Sequence, residues 1–151
     1  MLFRTHIVFG MLISAFLIKY LNLEHPLIFS TILVISSLLP DIDSSKSKIS
    51  IPIISRLIEN IFGHRRFFHS IFPSLIFLLL SIVFSSLYPL AIFLGYLAHL
   101  LIDALTKEGI MPLFPITKIK INGFIRTNSF MENILFLILI ILNLLIFFKY
   151  L

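Results

Sequence analysis

The stretch from Ser70 to Ile102 contains no formally charged residue apart from whatever His99 carries. As one helix these 33 residues would extend roughly 50 Å at 1.5 Å per residue. A hydrocarbon core is only about 30 Å thick, so one crossing cannot use them all. Ser85-Ser-Leu-Tyr-Pro89 supplies a break, and the run reads as a hairpin of two membrane helices. Three more apolar runs follow the same logic: Thr5 to Ile18 between Arg4 and Lys19, Pro26 to Pro40, and Asn133 to Phe148 before Lys149-Tyr150. In lipid each backbone N–H and C=O must be satisfied within a helix or closed barrel. The expected fold is therefore all-α, a polytopic bundle of about five transmembrane helices, some short, in a single domain spanning 1–151.

Composition closes off the soluble alternative. The chain is 59% hydrophobic and 13% charged, where a soluble domain is about a quarter charged. No small-x-small cleavage site follows the first run, so that run is read as a retained helix and not a signal peptide. The absence of cysteine excludes disulfides, thiolate nucleophiles and cysteine-bound metals, leaving His, Asp and Glu as the available metal ligands. A net charge of +5 suits anionic headgroups or phosphate; no nucleic-acid partner is expected.

Two polar connections remain, Asp41 to His69 and Lys107 to Ser129. Within the first, Ile54, Leu57, Ile58 and Ile61 recur at i, i+3, i+4, i+7 across 51–62, the pattern of a short helix lying in the membrane interface. With five spans, the N-terminus and both connections share one side. That side carries Arg4, Lys46, Lys48, Arg56, Arg65, Arg66, Lys107, Lys118, Lys120 and Arg126, ten of the twelve basic residues. The positive-inside rule places it in the cytoplasm and the C-terminus outside. Tyr20, Tyr88 and Tyr150 fall at the opposite interface.

The same topology sorts the ionisable groups. His6, Asp41, Asp43, His64, His69, Asp103 and Glu132 come at or near the cytoplasmic ends of spans, and His99 lies one turn deeper than Asp103. His99 and Asp103, at i and i+4 in Leu94-Gly-Tyr-Leu-Ala-His-Leu-Leu-Ile-Asp103, project from one face of an apolar helix. A carboxylate there is costly and is usually paired or functional. On its own the pair reads equally as a hydrogen bond packing two helices. Leu38-Leu-Pro-Asp-Ile-Asp43 ends a span with two carboxylates that reach one cation if the chain turns. Gly63-His-Arg-Arg-Phe-Phe-His-Ser70 adds His64 and His69; its Arg66 and phenylalanines read as a headgroup anchor. Imidazoles with carboxylates suit Zn²⁺, Mn²⁺ or Fe²⁺, and Asp41, Asp43, His64, His69, His99 and Asp103 could hold more than one ion. His6 and Glu132 read either as interfacial polar residues or as ligands, and a carboxylate at Glu132 is favoured by the dipole of the last helix in any case.

The order of these motifs resembles the YdjM family of membrane-bound, predicted metal-dependent hydrolases. The residues that carry the likeness are an early His6, Leu-Leu-Pro-Asp-Ile-Asp-x-x-Lys-Ser at 38–47, Gly-His-Arg-x-x-x-His-Ser at 63–70, Gly-Tyr-Leu-x-His-x-x-x-Asp-x-Leu-Thr-x-x-Gly at 95–109, Pro112-Leu-Phe-Pro115 and a late acid at Glu132. Ser44 stands where such proteins often have His, and Arg66 and Phe68 replace a common Gly and Thr, so position 44 is given no ligand role. The resemblance implies a divalent metal, zinc foremost with manganese or iron as alternatives, on His6, Asp41, Asp43, His64, His69, His99 and Asp103. Asp43, His64, Arg65 and Glu132 are the expected catalytic residues. A more distant similarity, carried by the helical His-x-x-x-Asp element, is to the all-helical zinc phospholipase C and nuclease group.

The expected activity is hydrolysis by metal-activated water at the cytoplasmic membrane surface. Arg65, with Lys107 or Arg126, would bind phosphate, and a phospholipid or other amphiphilic phosphoester is the expected substrate. The competing expectations are a small transporter or channel with an intramembrane His/Asp site, and a structural subunit held together by its polar layer. The sequence does not set the oligomeric state.

Overall fold

The computed structural model describes residues 1–21, 23–43 and 67–150, excluding the side chains of Ile42, Asp43 and Tyr150. Five α-helices account for most of them: α1 (Phe3–Tyr20), α2 (Pro26–Ser36), α3 (Phe72–Phe84), α4 (Leu87–Ala104) and α5 (Phe130–Tyr150). A 3-10 turn, Leu39–Asp43, follows α2. No β-strand is present among the described residues, only two isolated bridges, Thr106 with Ile125 and Ile110 with Ile121. The chain is a helical membrane bundle. Three helices, Phe3–Tyr20, Leu87–Ala104 and Phe130–Lys149, are long and apolar enough to cross a bilayer, whereas α2 and α3 are shorter apolar helices. The expected interfacial helix over 51–62 lies outside the described residues, as do His64 and Arg65.

The expected break in the long apolar run occurs at the serines. Ser85 adopts a left-handed conformation (φ 47°) and ends α3, while the Ser86 hydroxyl accepts from the Tyr88 N–H and starts α4. This is the usual division of labour between a left-handed C-terminal residue and a serine N-cap. Proline at the first or second position of α2 and α3 fits where no intrahelical N–H is required.

Helix α4 sits at the centre, packed against α2, α3 and α1, while α5 packs chiefly on α1. Phe29, Leu33 and Ala91 form the α2–α4 core. The approach there is very close: a Cβ on Gly95 would stand 2.2 Å from the Leu33 carbonyl oxygen and 2.8 Å from the Ser36 Cβ, so any side chain would force the helices apart. At the α1–α5 contact the Asn143 amide donates to the Val8 carbonyl at 3.1 Å and the Leu139 carbonyl at 2.8 Å. The outer faces of α3 and α5 are apolar and exposed, for example Ile82, Phe84, Leu145 and Phe148, as lipid-facing surfaces must be.

Candidate metal centre

The close α2–α4 approach determines where His99 can go. One helical turn after Gly95, His99 meets the end of α2, where the last carbonyls lack intrahelical partners. Its Nδ1–H donates to the Ser37 carbonyl at 2.8 Å. That bond fixes the tautomer, leaving a lone pair on Nε2, as the outer hydrogen bond of a metal-binding histidine does.

Asp103 follows one turn later on the same face. The 3-10 turn after α2 brings Asp41 toward them, and the turn before α3 brings His69. This last turn is buried at His69 and Ser70, which lets irregular backbone exist near a membrane. Its anchors are the Tyr96 hydroxyl, which donates to the Phe68 carbonyl, and the Ile71 N–H, which donates to the Pro112 carbonyl at 2.9 Å. Three separate chain segments thus converge on four side chains.

The resulting separations are informative. His69 Nε2 lies 3.4 Å from His99 Nε2 and 3.6 Å from Asp103 Oδ2, and His99 Nε2 lies 3.5 Å from Asp103 Oδ2. Asp41 Oδ1 lies 3.7 Å from His69 Nε2 and 3.8 Å from His99 Nε2. These exceed the usual 2.7–3.2 Å of an N–H···O bond. Ligands each about 2.0–2.1 Å from a tetrahedral ion are about 3.3–3.4 Å apart, close to the 3.4–3.6 Å that separate His69, His99 and Asp103. Asp103 Oδ2 is buried with no hydrogen-bond partner among the described residues. A buried carboxylate oxygen in that condition is expensive unless a cation faces it. The donor set and its unsatisfied oxygen therefore fit a divalent ion.

His6 is the fifth member. Its ring stacks on His99 with centroids 4.0 Å apart and planes within 6°. Its Nε2 lies 3.5 Å from Asp103 Oδ1, and neither ring nitrogen makes a hydrogen bond among the described residues. The Met1 amine also contacts Asp103 Oδ1. Two ligand-competent groupings result, His69 with His99 and Asp103, and His6 with Asp41 and His99. Asp41, 17% exposed, opens the cluster to water, whereas His69 and His99 are fully buried. Asp41 lies beyond the end of α2. Burial there works against its charge, but the nearby imidazoles of His69, His99 and His6 prevail and hold its carboxyl at about 2.

The remaining expected site residues divide differently. The backbone of Asp43 completes the 3-10 turn, but its side chain, like His64 and Arg65, lies outside the described residues. Glu132 is buried and belongs to neither ligand grouping. Its Oε1 accepts from the Leu2 N–H at 2.6 Å and the Thr5 hydroxyl at 3.0 Å, and its Oε2 accepts from the Asn128 N–H at 2.6 Å. Reasoning from side-chain motifs missed the Ser37 carbonyl, since any residue supplies one. It also gave Tyr96 and Thr106 no part, although the Tyr-x-x-His and Asp-x-x-Thr spacings were visible. Thr106 accepts from the Gly109 N–H at 3.0 Å and donates to the Asp103 carbonyl at 2.7 Å, ending α4 just beyond the cluster.

The YdjM inner membrane protein family matches over residues 1–151, the whole chain. The chain belongs to the YdjM family. The uncharacterized protein YvsG of Bacillus subtilis (strain 168) is 31% identical over 140 residues, covering 87% of this chain and 84% of that protein. The inner membrane protein YdjM of Escherichia coli (strain K12) is 37% identical over 94 residues, 54% of this chain and 46% of its own length. The same figures hold for YdjM of Shigella flexneri. No solved structure matches the chain.

Proposed function

We propose that this YdjM-family protein is a metal-dependent hydrolase that works at the cytoplasmic surface of the membrane on a phosphoester or lipid-linked substrate. The observation that supports it most is the group of His69, His99 and Asp103, with ligand atoms 3.4–3.6 Å apart, and Asp41 Oδ1 at 3.7 and 3.8 Å from its two imidazoles. A bound divalent ion, zinc foremost, would supply Lewis acidity and lower the pKa of a coordinated water to about 7. The protein's own groups do the rest. The Ser37 carbonyl orients His99, Tyr96 steadies the turn bearing His69, and His6, whose ring nitrogens make no hydrogen bond among the described residues, stacks on His99. His6 with Asp41 and His99 could also hold a second ion. Asp43, His64 and Arg65 keep the roles their sequence positions suggest, with Arg65 binding phosphate.

Orientation and substrate class rest on charge. Ten of twelve basic residues belong to the N-terminus and the two polar connections, which by the positive-inside rule suits a cytoplasmic placement and a phosphate-bearing substrate near the headgroups. The transporter reading is less favoured. Among the described residues the buried ionisable side chains His6, His69, His99, Asp103 and Glu132 belong to one end of the bundle and do not form a file across it. The test is metal analysis of protein purified in detergent without chelator, followed by assay against phosphomonoester, phosphodiester and phospholipid substrates. Retention of one or more equivalents with turnover is expected. Metal-free protein at every pH tried would end the proposal.

A further inference from the structure

The connection between α4 and α5 has a surface unlike an ordinary loop. Ile110 and Ile121 exchange two backbone hydrogen bonds, each 2.9 Å, clasping the base of the segment between them. In and beside that clasp Leu113 is 46% exposed, Ile116 74%, Ile119 66%, Ile121 49% and Phe124 66%. The values match those of lipid-facing α5 residues such as Leu145 and Phe147, at 61% and 59%, yet none of these residues is on a helix. Lys118 and Lys120 are exposed among them. The alternation Lys118-Ile-Lys-Ile121 separates charge from apolar surface wherever the chain is extended. Both ends of the connection run into membrane-length helices, α4 ending at Ala104 and α5 starting at Phe130, so it starts and finishes at one bilayer surface.

We propose that residues 111–124 form a docking surface for anionic lipid. Ile116, Ile119 and Phe124 enter the boundary between headgroups and acyl chains, and Lys118 and Lys120 meet lipid phosphates. Apolar side chains interleaved with lysine suit that layer, where each lysine favours an anionic surface by about fivefold. The surface is joined to the candidate centre in two places. Beyond the clasp, the Gly123 N–H donates to the Thr106 carbonyl at 2.9 Å, three residues after Asp103. Ile71, two residues after His69, donates to the Pro112 carbonyl. Lipid contact here therefore sets the depth of the His/Asp cluster relative to the phosphates.

The chain contains no tryptophan, so Ile119→Trp introduces a lone reporter. The full-length variant is placed in bilayers of phosphatidylcholine, alone or mixed with phosphatidylglycerol, with brominated counterparts as quenchers. Blue-shifted emission quenched by brominated lipid is expected, more strongly in the anionic bilayer. Lys118→Gln and Lys120→Gln should each lower the docked-to-undocked ratio there by about fivefold. Phe124→Trp, a conservative change at a second exposed position, repeats the measurement should Ile119→Trp fold poorly. Water-like, unquenched emission would overturn the proposal, and so would blue-shifted emission that lipid does not quench, which would mean that protein covers the segment. Quenching indifferent to both lipid charge and the lysines would overturn the anionic preference. None of these readings depends on a metal, so metal content of the same sample tests the hydrolase proposal separately.

Discussion

Asp103 and Glu132 are both buried carboxylates near helix ends, 1% and 0% exposed, and the sequence presents them alike, as acids at the edge of apolar runs. Their surroundings differ in kind. Glu132 accepts from two backbone N–H groups and a hydroxyl, tying the start of α5 to the start of α1 and meeting the positive ends of both helices. Asp103 has one oxygen without a hydrogen bond among the described residues, faced by two imidazole nitrogens at 3.5 and 3.6 Å. Burial does not distinguish a candidate ligand from a carboxylate that backbone donors satisfy. What distinguishes them is whether neighbouring donors already satisfy the carboxylate, or whether other acceptor-capable atoms surround it at the spacing a cation imposes.

The sharpest way to break this contrast is Asp103→Ala. Removing one member of the His69, His99 and Asp103 group should take metal content from about one equivalent per chain to near zero, read by elemental analysis of folded, monodisperse protein. Unchanged metal would place Asp103 beside Glu132 as a structural residue. Acid should produce the same loss gradually. Protons compete with metal for imidazole nitrogens, so metal retained at about pH 7 should be released as the pH falls. Asp41 does not contribute to that release. Its value of about 2 lies below the ordinary 3.8, so in metal-free protein its stabilisation is complete above about 3.8 and lost only as pH falls toward about 2. Metal still bound at about pH 4 after equilibration would contradict histidine ligation.

Glu132→Gln should do the reverse of Asp103→Ala. The amide retains one acceptor but can turn an NH₂ toward the Asn128 N–H, and losing charge-assisted bonds costs about 1.5–3 kcal/mol. A thermal midpoint lower by several degrees with undiminished metal is the expected pair of results. Loss of metal at full stability would instead return Glu132 to the catalytic role that the sequence suggests.

The helices were legible because lipid leaves so few options: absence of charge marked the runs, and Ser85-Ser86 marked the break. The short spans were less so, because the run Pro26 to Pro40 does not show where α-helix gives way to the 3-10 turn. That transition decides whether Asp41 reaches the cluster. His99 and Asp103 could be paired from i, i+4 spacing alone. His6 could not be joined to them, since its stacking on His99 depends on how α1 crosses α4, a long-range packing outcome to which small residues such as Gly10, facing Ser37, contribute. The surroundings of Glu132 were half visible: the helix dipole favours a carboxylate there, but its hydrogen bonds to the Leu2 N–H and the Thr5 hydroxyl depend on how α1 meets α5.

The smallest effect is expected at the other end of the molecule. Glu24 and His25 are again an acid and an imidazole, and they line a cavity of about 350 Å³ with Ser85, Ser86 and Tyr88. Both are exposed, and among the described residues neither joins a ligand-competent group. Water solvates them, so no cation is needed to offset their burial, and the physical demand that singles out Asp103 is absent. The double change Glu24→Gln, His25→Gln should leave metal content unaltered and move stability by no more than about 0.5 kcal/mol. A lost equivalent of metal would show that exposed pairs bind as well as buried ones, and the argument from the unsatisfied oxygen of Asp103 would lose its force.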